Sequence, residues 1–198
     1  MAQVRSMRAD ARRNRERLLK AAVEAFAAQG EGASLDDIAR QAGVGSGTLY
    51  RHFPTRRALL EAAYADRIDA IAARAGELAQ RLPPGEALVE WLDELGVGMI
   101  RVRGLRALLS SSVGGDGRPA ESSSSSSSSS DCCGPLRSAV ARLVGAAQEA
   151  GVLRRDVEPI DVLRLVHGVA MACEAVDGEG AQALLRRYVG LLMEGLRG

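Results

Sequence analysis

The stretch from Ser34 to Pro54 constrains this chain more than any other, because it writes two very short helices around a glycine turn. Ser34-Leu35-Asp36-Asp37 is a helix start. A serine hydroxyl at the cap accepts a free backbone amide, and an acidic residue three positions on reaches back towards the serine. The helix ends at about Gln41 or Ala42, since Gly43 supplies a left-handed stop. Val44 and Gly45 make the turn, Ser46 is placed to cap a second helix from Gly47 to Phe53, and Pro54 closes it. Thr55 caps the next helix, running to about Leu82, where Pro83-Pro84-Gly85 breaks the chain. Two short helices on a three- or four-residue turn are the spacing of a helix-turn-helix, whose second helix enters the DNA major groove.

The side chains suit that use. Ile38, Val44, Leu49 and Phe53 point inward and hold the pair together. Ser46, Gly47, Thr48, Tyr50, Arg51 and His52 are left outside. Gly47 permits close backbone approach, Thr48 offers a methyl and a hydroxyl, and Arg51 can fork onto a guanine edge. Tyr50 and His52 can donate to phosphates. Arg56 and Arg57 stand in the first turn of a helix, where the dipole disfavours cations; a phosphate docked at that end would reverse the penalty. Charge agrees. Residues 1–60 carry eleven Lys and Arg against six Asp and Glu, net +5, whereas residues 61–198 carry fifteen against nineteen, net −4. A basic first third meets a polyanion more readily than the acidic remainder.

Residues from about Asn14 to Ala65 resemble the TetR family of regulators. The resemblance rests above all on Ser34-Leu35-Asp36-Asp37-Ile38-Ala39 and on Gly43-Val44-Gly45-Ser46-Gly47-Thr48-Leu49-Tyr50-Arg51-His52-Phe53-Pro54. It implies an all-α homodimer that reads double-stranded operator DNA with its third helix and binds a small-molecule effector in its C-terminal domain. Carried over by position, Ser34, Thr48, Tyr50, His52 and Arg56 are the implied DNA contacts, with Leu35, Gly45, Ser46, Gly47 and Arg51 beside them. The family usually has lysine where Arg56 stands, and Asp36 is acidic where some members carry a base reader. The segment from Leu136 to Gly198, notably Ala147 to Val157, is more loosely similar to the C-terminal domain of TetR-like actinobacterial regulators.

The rest of the chain reads as helix packed on helix. Hydrophobic residues make up 46% of the 198 and aromatics only 3%, so the core must be Ala, Leu and Val, with β-branched and aromatic runs scarce. The expected organisation is a flexible basic arm over 1–12, a three-helix DNA-binding domain over 13–60, and a ligand-binding and dimerisation domain over 61–198. The first helix is expected from about Ala11 to Gln29, with Leu19, Val23 and Phe26 on its buried stripe and Leu18 and Ala22 beside them. Glycines at 96, 98 and 104 predict two helices or a kink between Glu86 and Ser112. Residues 114–134, with serine at every position from Ser122 to Ser130, read as a disordered or loosely ordered loop. Helices follow from Leu136 to Ala150, from Pro159 to about Ala175, and after Asp177-Gly178.

Trp91, Met99, His167 and Met171 are candidates to line a ligand pocket, with plain core packing the alternative for each. Leu185, Tyr188, Val189 and Leu192 on the last helix are the expected dimer seam, built as a four-helix bundle. No apolar run reaches the roughly 18 residues of a membrane span, and the N-terminus lacks an apolar signal core, so the chain is expected to act in the cytoplasm and, when bound to DNA, on the nucleoid. Cys132, Cys133 and Cys173 have no framework spacing, which fits reduced thiols; oxidant sensing by the adjacent pair is the alternative. No His/Cys/Asp cluster has metal spacing and no nucleotide-binding glycine loop is present, so neither metal nor cofactor is expected and an enzyme is disfavoured. A helical dimer acting by protein contact alone is the remaining alternative, which an operator gel shift separates.

Overall fold

Ala, Leu and Arg favour helix, and all the regular structure among the described residues is helical apart from one isolated β-bridge. The computed structural model describes residues 2–113, 133–173, 176 and 179–198. The serine run expected as a loop lies outside them, as does Cys132. The chain forms two compact units, Met1–Ala65 and Asp66–Gly198.

The first unit holds α1 (Ala2–Gln29), a 3₁₀ turn (Gly30–Gly32), α2 (Leu35–Gln41), α3 (Ser46–His52) and the start of α4 (Arg56–Arg81). Helix α1 begins well ahead of the expected Ala11: from Ala2 onward the text holds no glycine or proline, and the backbone of the expected arm is helical. The buried stripe also differs. Leu18, Ala22 and Phe26 are fully buried with Ala21 beside them, while Leu19 is half-buried and Val23 is 39% exposed. Spacing of i, i+4, i+8 lines these three on one face, and the two alanines let α2 approach α1. Ile38, Ala39, Ala42, Leu49, Phe53, Leu59 and Leu60 complete the core of this unit.

The second unit contains the rest of α4, then α5 (Pro84–Arg101), α6 (Arg103–Val113), α7 (Gly134–Glu149), α8 (Pro159–Ala172) and α9 (Glu179–Gly195). The kink expected between Glu86 and Ser112 is a break at Val102. Helix α5 is the hub, packing against α6, α7, α8 and α9. It is buried on most sides, at Leu88, Trp91, Leu92, Leu95 and Met99 among others. Its glycines make room for neighbours: a Cβ on Gly96 would lie 2.8 Å from both Leu185 methyls of α9, and one on Gly98 3.3 Å from Leu105 Cδ2. Buried Asp93 accepts a hydrogen bond from Arg186 Nε at 2.9 Å, a second tie between α5 and α9. Gly151 (φ 70°) ends α7, Val152 N–H returning to Ala147 O at 3.0 Å. The segment that follows forms an isolated antiparallel bridge between Leu153 and Arg197.

Trp91 and Met99 are buried in the core, Trp91 Nε1 donating to Ile71 O at 2.8 Å, whereas Met171 is 44% exposed. His167, half-buried, shares a hydrogen bond with Ser110 Oγ at 3.2 Å and ties α8 to α6. Leu185 and Val189 are fully buried within the subunit, on the face of α9 that packs against its neighbours, so they offer no surface to a second copy. Tyr188 and Leu192 remain partly accessible. Cys133 and Cys173 are buried, and burial pushes the Cys173 thiol above its ordinary pKa, which disfavours the reactive thiolate.

Candidate nucleic-acid interface

Local sequence builds this interface almost residue by residue. Ser34 caps α2, its Oγ accepting the Asp37 amide at 3.3 Å. At the other end Gly43 takes φ 67°; its N–H donates to Arg40 O and that of Val44 to Ala39 O, both at 3.0 Å. This paired closure satisfies carbonyls the helix end would otherwise leave open. A side chain at Gly43 would also lie 2.5 Å from Arg17 Nη2 of α1. Gly45, rather than Ser46, occupies the cap position of α3: its carbonyl accepts the Thr48 and Leu49 amides at 2.8 and 3.2 Å. Ser46 is the first helical residue, and its Oγ donates to Asp36 Oδ1 at 2.7 Å.

That bond braces α2 against α3 through Asp36. The partners are ten residues apart and no motif announces them. Other braces fix the pair on its support. Gln41 Nε2 donates to Glu24 Oε2 at 2.7 Å, joining α2 to α1, and Arg15 lies over the Phe53 ring at 5.6 Å. Thr55 Oγ1 accepts the Ala58 amide at 3.0 Å, capping α4 as its position predicts. A small basin of about 220 Å³ opens beside α2, with Arg17 and Lys20 of α1 on its wall.

Of α3, only Leu49 is buried. Gly47, Tyr50 and Arg51 are exposed, and Ser46, Thr48 and His52 are half-exposed. Tyr50 and Arg51 make no hydrogen bond or ion pair among the described residues. A Cβ on Gly45 or Gly47 would meet nothing within 4 Å, so packing inside the chain does not require glycine at either position. Ser34 and Leu35 are half-buried at the start of α2.

Arg56 has partners inside the protein. Its Nη2 donates to Ala33 O at 2.5 Å and its guanidinium lies 6.0 Å from the Phe26 ring centroid. Arg57 Nε bonds Glu61 Oε1 at 2.8 Å one turn on. Both cations in the first turn of α4 therefore have protein partners.

A short glycine-turned helix pair, braced on α1 with the second helix bare on its outer side, defines a helix-turn-helix DNA-binding regulator. Residues 18–63 match the bacterial regulatory proteins of the tetR family, and residues 83–198 match the C-terminal domain of SbtR-like transcriptional regulators. The chain belongs to the TetR family of transcriptional regulators. It is 36% identical to the TetR transcriptional regulator SCO0520 of Streptomyces coelicolor, with 92% of this chain and 98% of that one covered and a TM-score of 0.51. A second solved structure, described as the molecular basis for control of antibiotic production by bacterial hormones, is 25% identical over 93% of this chain and 97% of that one, with a TM-score of 0.54. An uncharacterized HTH-type transcriptional regulator, TtgW, of Pseudomonas putida is 45% identical over 64 residues. Those residues are 32% of this chain, and the chain spans about half (48%) of that relative's length. The family and fold are those of DNA-binding regulators rather than enzymes. Among the described residues no helix is long and apolar enough to cross a membrane.

Proposed function

We propose that the chain is a ligand-responsive repressor that binds a near-palindromic operator as a homodimer, reading bases with α3. The observation that carries this is the outer side of α3: Gly47, Thr48, Tyr50 and Arg51 face outward on a helix whose neighbours are fully braced. Arg51 and Thr48 read base edges, while Tyr50 and His52 donate to phosphates, with Ser34 at the α2 N-terminus. Arg56 supports this face by holding Ala33, the residue just before the Ser34 cap. Arg17 and Lys20 add positive charge beside α2.

A seven-residue helix touches few base pairs. At roughly 1–3 kcal/mol per discriminated pair, one copy falls short of the roughly 4–10 kcal/mol that separates specific from non-specific binding. Two copies close that gap. The surface for pairing is the outer side of α9 and α8. Leu184, Tyr188, Leu191 and Leu192 recur at i, i+4, i+7 and i+8, with Leu191 55% exposed, and Leu165 of α8 is 41% exposed. A monomer would leave this stripe to water.

The test is operator selection from a random duplex pool, followed by titration with the selected site. Arg51→Ala is expected to relax base preference at one position in each half-site, at roughly 1–3 kcal/mol. Tyr50→Phe is expected to weaken all duplexes about equally. Tyr188→Glu with Leu191→Glu is expected to give folded monomers that lose specific binding. Failure to enrich any sequence, or a wild-type monomer at micromolar concentration, would defeat the reading.

A further inference from the structure

Helices α5 and α9 run antiparallel, and two glycines along their seam are treated in opposite ways. At Gly96 the missing side chain is replaced by Leu185 from α9, whose methyls fill the space. At Gly190 of α9 a Cβ would meet nothing within 4 Å. Glycine inside a helix weakens it and here is not required by packing. The space beside Gly190 belongs to a cleft of about 650 Å³, between the first turns of α5 and the last turns of α9, within the range of small-molecule sites.

The lining specifies a chemistry. Leu82, Val89, Val152 and Met193 supply apolar walls. Glu86, Glu90, Glu194 and Arg197 also line it, three carboxylates to one guanidinium, so the lining carries a net charge of −2. One helical turn further along α5, Asp93 and Arg186 form a closed pair that adds no net charge, although Arg186 also feels Glu90. An anion would meet repulsion, and a neutral guest would draw no attraction from the carboxylates. A hydrophobic body carrying a positive charge satisfies both walls and rim.

We propose that this cleft binds an amphipathic organic cation. It names an effector site for the ligand-responsive reading above, on residues that the DNA-binding face does not use. The test is calorimetric titration of the full chain with tetraphenylphosphonium, and with tetraphenylborate as a guest of like shape and opposite charge. The cation is expected to bind, and the anion about tenfold or more weakly. Gly190→Leu is expected to abolish cation binding without lowering the melting temperature, because its Cβ meets nothing within 4 Å and leucine favours helix over glycine. Glu86→Gln with Glu194→Gln is expected to weaken binding about tenfold, a difference of about 1.4 kcal/mol. No binding of the cation, equal binding of the two ions, or unchanged affinity in Gly190→Leu would each overturn the proposal. Operator affinity is measured on the same ligand-free proteins. A wild type that binds operator but not the cation faults this site alone, and one that binds the cation but no operator faults the functional reading alone.

Discussion

The contact between Gly96 and Leu185 can be tested by a double-mutant cycle whose sign is set by geometry. Leu185→Ala deletes three buried carbons, about 2.4 kcal/mol of transfer free energy at roughly 0.8 kcal/mol each. The facing wall is the bare backbone of Gly96, which has no side chain to collapse into the void. The cavity term therefore adds fully, and the total belongs in the upper half of the roughly 2.7–5 kcal/mol range for such truncations. For a protein of this size that lowers the melting temperature by about 2–4 °C per kcal/mol. Gly96→Ala places a methyl 2.8 Å from both Leu185 methyls, so Leu185 must rotate inside a packed seam. Overpacking of this kind costs roughly 1–3 kcal/mol, offset by about 1 kcal/mol of helix propensity. In the double variant the new methyl enters the void left by Leu185, and the two costs cancel in part. The double variant is expected to be more stable than the sum of the single effects by roughly 1–2 kcal/mol. Urea unfolding followed by circular dichroism, at one fixed protein concentration, measures all four proteins. Additive effects, or a Leu185→Ala cost below about 1 kcal/mol, would refute the packing argument.

Gly43→Ala forces an L side chain into φ 67° beside Arg17, so a loss of about 1–2 kcal/mol is expected, read as a lower midpoint of chemical unfolding. Thr55→Ala removes the α4 cap and is expected to cost about 1 kcal/mol in the same assay, with Thr55→Ser close to wild type. Among the described residues the buried Tyr64 hydroxyl has no hydrogen-bond partner, so Tyr64→Phe is expected to be neutral or stabilising at pH 7. Burial raises the Tyr64 pKa above 10.0. Its share of stability is therefore whole below pH 10 and lost as pH rises through the folded value; unfolding scans above pH 10 should fall more steeply for wild type than for Tyr64→Phe.

The DNA-binding half was legible because its determinants are local. A serine before two acidic residues, a glycine after the last helical turn and a threonine before the Arg-Arg pair each act within three or four positions, and each is found capping or closing its helix. What escaped was held by partners distant in sequence. Ser46 was expected to cap α3 because it stands at the right place; Asp36, ten residues earlier, takes its hydroxyl, and Gly45 serves instead. Arg56 has a partner that no local pattern announces, the carbonyl of Ala33, twenty-three residues earlier. The α1 stripe was misjudged by one residue because Leu18 and Leu19 are chemically equal, and only the position of α2 chooses between them.

Helix α9 shows why the second half resisted the same reading. It is apolar on two faces, and periodicity is satisfied by either one. Ala181, Leu185, Val189 and Met193 recur every fourth residue, but so do Leu184, Tyr188 and Leu192, with Leu191 one turn after Tyr188. Nothing within α9 says which series faces its own subunit. The deciding feature lies about ninety residues away, in Gly96 of α5, whose bare backbone receives Leu185 and so turns the first series inward. Once that series is committed, the second is left facing solvent with Leu191 more than half exposed. A helix in the unit that carries no DNA-reading face gains nothing by exposing leucines to water, so the outer series is where a second subunit is expected to pack.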